Sequence, residues 1–168
     1  MRPTVIDYQP FAKTYVDLAL GDDIQTLLPA SLPPVATFLK NIPEEKMDYA
    51  YAKGKWTIKQ VLQHCIDTER IMTYRALCIA RGEQQNLPGF DENSYAATAT
   101  ATDRLLADLT AEMLLVRQST ILLFQHFSPS QLASAGKSNN HPVTTNALGY
   151  IITGHFLHHV KVLRERYL

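Results

Sequence analysis

Three stretches of this chain repeat inward-facing residues at alternating spacings of three and four, a period that lets helices pack side by side and little else. The first runs Thr57, Val61, His64, Thr68, Ile71, Arg75 and Cys78; the second Leu106, Leu109, Met113, Val116, Thr120, Leu123 and Phe127; the third Leu148, Ile152, His155, His159 and Val162. A fourth stripe, Ile24, Leu28, Val35, Phe38 and Ile42, is interrupted by Pro29, Pro33 and Pro34, so a kink or break is expected there. With no strand signal beside them, these stripes predict an all-α four-helix bundle.

Local signals place the ends. Asp22-Asp-Ile-Gln25 and Thr57-Ile-Lys-Gln60 have the form of capping boxes, the second opening a helix to about Arg81. Thr144 or Thr145 caps the last helix, and a short helix is expected around Pro10 to Leu20, ended by Gly21. Gly82 to Thr102 is a connection long enough to cross the bundle or line a site entrance, and Pro129 to Val143 reads as a turn-rich linker. A length of 168 residues suits one domain, 1–168, with residues 1–21 as a lead-in segment.

Charge narrows the partners. Lys plus Arg and Asp plus Glu number 16 each, with no basic run, which argues against nucleic acid. Neither a signal-peptide core nor an apolar run of the roughly 18 residues that span a bilayer is visible, so no membrane partner and a cytoplasmic location are expected. Cys65 and Cys78 fall on one helix, too far apart to bridge, which suits a reducing compartment and a role as small buried hydrophobes.

What sets the pattern apart is polarity on inward seams. His155 and His159 are four apart and share a helix face, while His158 points well off the stripe and is better suited to the surface or to supporting a ligand. His64 lies on the inward seam of another helix and supplies a third imidazole; three protein ligands with one open position are the usual arrangement of a catalytic metal. The plain alternative is three core histidines hydrogen-bonded to Thr or Asp. His126 and His141 fall at a helix end and in the linker, where solvation is expected.

These residues also resemble a known family. Lys55-Trp-Thr-Ile-Lys-Gln-Val-Leu-Gln-His64-Cys-Ile-Asp-Thr-Glu-Arg70, Leu87-Pro-Gly-Phe-Asp-Glu-Asn-Ser-Tyr95 and Gly149-Tyr-Ile-Ile-Thr-Gly-His-Phe-Leu-His-His159 are similar to the DinB superfamily, the DinB/YfiT-like metalloenzymes. The resemblance implies an up-down-down-up helix order with the long crossover between the second and third helices, and a homodimer. It also implies one divalent metal on His64, His155 and His159. Zinc, nickel or iron(II) suit three imidazoles, and manganese also occurs among such proteins.

Two chemistries follow for such a site. Water at the open position gives a metal-dependent hydrolase; a low-molecular-weight thiol gives an S-transferase, which the resemblance favours through relatives that use bacillithiol or mycothiol. The substrate would be a small molecule. A non-enzymatic metal-binding or dimerising stress-response bundle is the competing class. No carboxylate is marked as a base: Asp67 and Glu69 flank His64 but point elsewhere, Asp91 and Tyr95 sit in the long loop, and Trp56 reads as an apolar anchor. Arg75 shares the seam of His64, about 16 Å along the axis, where it either anchors an anionic substrate end or closes an ion pair.

Overall fold

The longest helix begins where the Thr57 hydroxyl accepts from the Gln60 backbone N–H at 3.3 Å and the Gln60 side-chain oxygen accepts from the Thr57 N–H at 2.9 Å. This capping box satisfies two backbone donors that the first turn leaves free. The computed structural model describes residues 1–168. After a 3-10 turn at Pro10–Ala12, the elements are α1 (Lys13–Leu18), α2 (Ile24–Lys40), α3 (Ile58–Ala80), β1 (Asn86–Leu87), α4 (Glu92–Thr98), α5 (Leu106–Gln125), α6 (Pro129–Ala133), β2 (Ala135–Ser138), β3 (His141–Thr144) and α7 (Thr145–Arg166). Thr144 caps α7, its hydroxyl accepting from the Ala147 N–H at 3.1 Å.

The four long helices, α2, α3, α5 and α7, pack as a bundle in which each touches at least two of the others, and α1 lies along α7. Gln25 ties the start of α2 to the end of α5, donating to the carbonyls of Phe124 and Phe127 at 2.8 and 3.0 Å. At the opposite end, the Tyr167 hydroxyl donates to the Trp56 carbonyl at 2.8 Å.

Several local expectations are corrected. Asp23, accepting from the Thr26 N–H at 3.1 Å, caps α2, so Gln25 is free to reach α5 and no capping box forms. The helix runs through all three prolines, with Ile24, Leu28, Val35 and Phe38 buried as the stripe required. Pro33 and Pro34 are exposed and Pro29 half-exposed, so the hydrogen bonds they forgo lie towards water. On α5 Leu109, Met113 and Thr120, with Phe127 just past its end, are buried as the stripe required, but Val116 and Leu123 are only half-buried, and Arg117 and Phe124 fill the inner face beside them.

The chain also carries a small three-stranded sheet that its apolar pattern did not announce. β2 and β3 form an antiparallel hairpin, turned by Asn139 and Asn140 at φ +51° and +65°, and β1 adds in parallel to β2. Two left-handed residues at a two-residue turn are what a tight hairpin demands, and asparagine tolerates them. The Asn139 N–H donates to the Leu87 carbonyl at 2.9 Å, pinning the segment after α3 against the hairpin.

Buried apolar residues fall into two clusters. One gathers Ile24, Leu28, Ile79, Leu148 and Ile152; the other gathers Phe38, Ile58, Ile66, Leu109 and Phe156. Between them the buried side chains turn polar: Thr68 and Glu69 on α3, Arg117 and Thr120 on α5, Thr153 and His155 on α7. No buried side-chain nitrogen or oxygen lacks a hydrogen-bond partner, as a polar layer inside a core requires.

Candidate metal centre

His64 projects from the second turn of α3, and His155 and His159 from successive turns of α7, across the interface of those two helices. The Nε2 atoms of His64 and His155 are 3.0 Å apart, and those of His159 and His155 3.2 Å. One ligand atom from each of the three lies within 4.8 Å of the others.

Hydrogen bonding alone does not account for this convergence. In a neutral imidazole Nε2 either donates once or accepts once in the ring plane. His155 Nε2 therefore satisfies one neighbour in full and not both. A cation removes the conflict by accepting all three lone pairs. Metal–nitrogen bonds of about 2.0–2.1 Å at tetrahedral angles place two nitrogens about 3.3 Å apart, close to the two short separations seen here. The donor set fits a divalent ion. The plain alternative is not favoured, since no Asp approaches the trio and only the Thr68 hydroxyl, 3.5 Å from His64 Nδ1, stands beside it.

The environment keeps these rings neutral. Burial pushes His64 down to about 4 against a small opposing pull from Glu92, and burial with the neighbouring imidazoles takes His159 to about 3. His155 falls well below its ordinary value, chiefly through burial and then through His159 and His64. All three lone pairs are thus available at neutral pH without a proton to displace.

The rings are also held in place. Trp56 lies tilted on His64 with centroids 4.9 Å apart, so it borders the site as well as anchoring its helix. The Tyr15 ring stands edge-on to His155 and His158 at 5.3 and 5.5 Å. That contact depends on Gly154, where a Cβ would overlap the Tyr15 carbonyl and drive α1 off α7.

The trio opens on a cavity of about 500 Å³, bordered also by Phe11, Thr68, Arg75, Phe90, Glu92 and Asn139. His158 borders it as a neighbour of the trio, half-buried against Tyr15. Other residues singled out from the sequence serve the fold. Asp91 caps α4 by accepting from the Ser94 N–H at 2.7 Å, and Tyr95 is exposed against Phe90. Asp67 accepts from the Gln63 amide, and Glu69 is bound by Arg117. His126 and His141 are exposed; Cys65 is buried, which pushes its thiol up.

Sequence reasoning passed over Tyr15 and Phe11 in the lead-in segment, and Glu92, the one carboxylate on the cavity wall. A glycine inside a helix, Gly154 next to His155, was the available sign that another backbone comes close.

The DinB superfamily model matches residues 35–163. Among solved structures, YfiT from Bacillus subtilis aligns with a TM-score of 0.69 at 15% identity, over 98% of this chain and 90% of that one. It is described as a probable metal-dependent hydrolase with an unusual four-helix bundle topology. At that identity the likeness speaks to the fold. No curated protein matches the sequence.

Proposed function

This chain belongs to the DinB superfamily, and on that premise we propose that it is a metal-dependent enzyme whose divalent ion is held by His64, His155 and His159. The observation that carries the proposal is the meeting of three buried, neutral imidazoles at one point on a cavity wall. When bound, such an ion acidifies a thiol or a water at its open position and holds the resulting anion. Zinc, nickel and iron(II) suit the donors best; manganese favours oxygen.

The reaction we favour is transfer to a low-molecular-weight thiol. The thiol sulfur forms a carbon–sulfur bond to an electrophilic small molecule, the leaving group departs with the electron pair of its bond, and the thiol proton passes to solvent through the open side of the cavity. This reading is supported by the lack of any carboxylate hydrogen-bonded to the trio, because an anion of sulfur needs no separate base to stay ionised. Hydrolysis is the second reading. Glu92 on the same cavity wall is the residue to take a proton from water, and the similar fold of YfiT belongs to a protein described as a probable metal-dependent hydrolase.

Metal-loaded protein assayed with cysteine or glutathione against an activated aryl halide, and separately against an activated ester, distinguishes the two. Transfer abolished by His155→Ala, with ester cleavage at background, supports the thiol reading. Ester cleavage lost in Glu92→Gln supports hydrolysis. No turnover of either kind, together with no bound metal, would leave a non-enzymatic bundle.

We further infer an up-down-down-up helix order over a single domain of residues 1–168. It is supported by the ties between opposite helix ends at Gln25 and Tyr167, and by α3 running in step with the chain into α5, Gln63 bonded to Arg104 just ahead of α5 and Thr73 to Thr120 on it. A homodimer through the outer face of α5 is supported by Leu115 and Leu122, 65% and 59% exposed and two turns apart. Leu115→Lys should then yield monomer in sedimentation. Two free cysteines, Cys65 and Cys78, suit the reducing cytoplasm.

A further inference from the structure

Two arginines are buried in this chain, and only one has an acid. Arg117 is fully buried and gripped by both oxygens of Glu69 at 2.8 Å. Arg75, 5% exposed, takes part in none of the ion pairs. Its Nη2 donates to the Pro88 carbonyl at 2.6 Å, its Nη1 lies 3.4 Å from Met72 Sδ, and its Cζ is 5.8 Å from the centre of the Phe90 ring. Every contact is neutral, and several of the five guanidinium N–H groups stay unused. A charge buried with neutral partners alone is unfavourable, so a counter-ion supplied from outside would relieve it.

The place where that counter-ion would arrive is the cavity of the histidine trio. α3 contributes His64, Thr68, Met72 and Arg75 to its wall, one after another along a single stripe. Helix side chains lean towards the N-terminus, and the contact with Met72 shows the guanidinium turned back one helical turn towards His64. The rise from residue 64 to 72 is about 12 Å. Phe11, Tyr15 and Phe90 add aromatic surface to the same wall, Tyr15 beside His155 and Phe90 beside Arg75.

We infer that the cavity takes a small organic carboxylate with an apolar or aromatic body, its carboxylate on Arg75 and its reacting end at the imidazole trio. The reacting end rests on the function proposed above; the anchor does not. Arg75 is the only Lys or Arg on a wall that also carries Glu92, and at that end a lone guanidinium suits a monoanion that pairs in the plane of the fork. A phosphoryl dianion would meet too little positive charge.

The test uses metal-free full-length protein, titrated calorimetrically with benzoate, phenylacetate, 3-phenylpropionate and 4-phenylbutyrate, each beside its neutral amide. At least one acid is expected to bind tenfold or more tightly than its amide. Arg75→Gln abolishes that preference without weakening the amide, and Arg75→Lys retains part of it. A purely structural role for Arg75, through Pro88 and Phe90, would weaken acid and amide together and overturns the inference. Equal affinity for acid and amide across the panel, or a preference that survives in Arg75→Gln, also overturns it. Metal content of Arg75→Gln, expected unchanged, and the acid preference of His155→Ala, expected retained, separate failure of the anchor from failure of the metal centre.

Discussion

The carboxylate of Glu69 and the guanidinium of Arg117 meet through two hydrogen bonds of 2.8 Å, with both side chains all but removed from water. They tie α3 to α5 within the polar layer that divides the apolar core, and the Ser31 hydroxyl accepts a further bond from Arg117 to include α2. Removing one partner leaves the other charge buried and unpaired. Glu69→Ala is therefore expected to cost about 3–5 kcal/mol, read as a lowered urea midpoint. A loss under 1 kcal/mol would mean that the pair is wet in solution.

Gly154 governs how the lead-in segment meets the site. Because the Tyr15 carbonyl occupies the space of a Cβ, Gly154→Ala should displace α1 at a cost of about 1–3 kcal/mol or somewhat more, the usual range for overpacking. Limited proteolysis should then cleave within residues 1–21 faster while the rest of the bundle stays protected. Unchanged cleavage would contradict the contact.

Acid should weaken the metal-free protein in a defined window. Unfolded histidines titrate near 6.5, whereas folded His64 and His159 are held at about 4 and about 3, and His155 is depressed further. Between these values the unfolded chain binds more protons, so stability is full above about pH 6.5 and falls as pH drops towards 4. Urea midpoints at pH 7.5 and pH 4.5 measure this, and the slope should flatten in His64→Ala/His159→Ala. A slope unaffected by those substitutions would assign the acid response elsewhere.

The parts of the molecule written in local pattern were legible from the sequence. The Thr57 and Gln60 cap, the helix it opens and the shared direction of His155 and His159 depend on residues within a turn or two of one another. His64 was legible because a histidine on an otherwise packed seam breaks the pattern. Glu92 and Tyr15 were not, since they reach the cavity only once the 86–98 segment and α1 dock, and neither sits on a periodic face. Arg117 stood outside the apolar stripe read for α5, and its partner Glu69 is 48 positions away. The hairpin was hidden by Gly136, Lys137 and Pro142, poor strand formers tolerated because the strands are short and β3 is an edge. Its Asn139-Asn140 turn was nonetheless a readable sign.

Whether His64, His155 and His159 hold one metal ion can be read from elemental analysis of untagged protein. After incubation with zinc, nickel or iron(II) and removal of excess ion, about one ion per chain is expected, as for a three-ligand site, and less than a tenth of that in His64→Ala and in His155→Ala. Folded wild-type protein that retains none of these ions, or variants that retain as much as wild type, would rule out a metal centre on these three histidines.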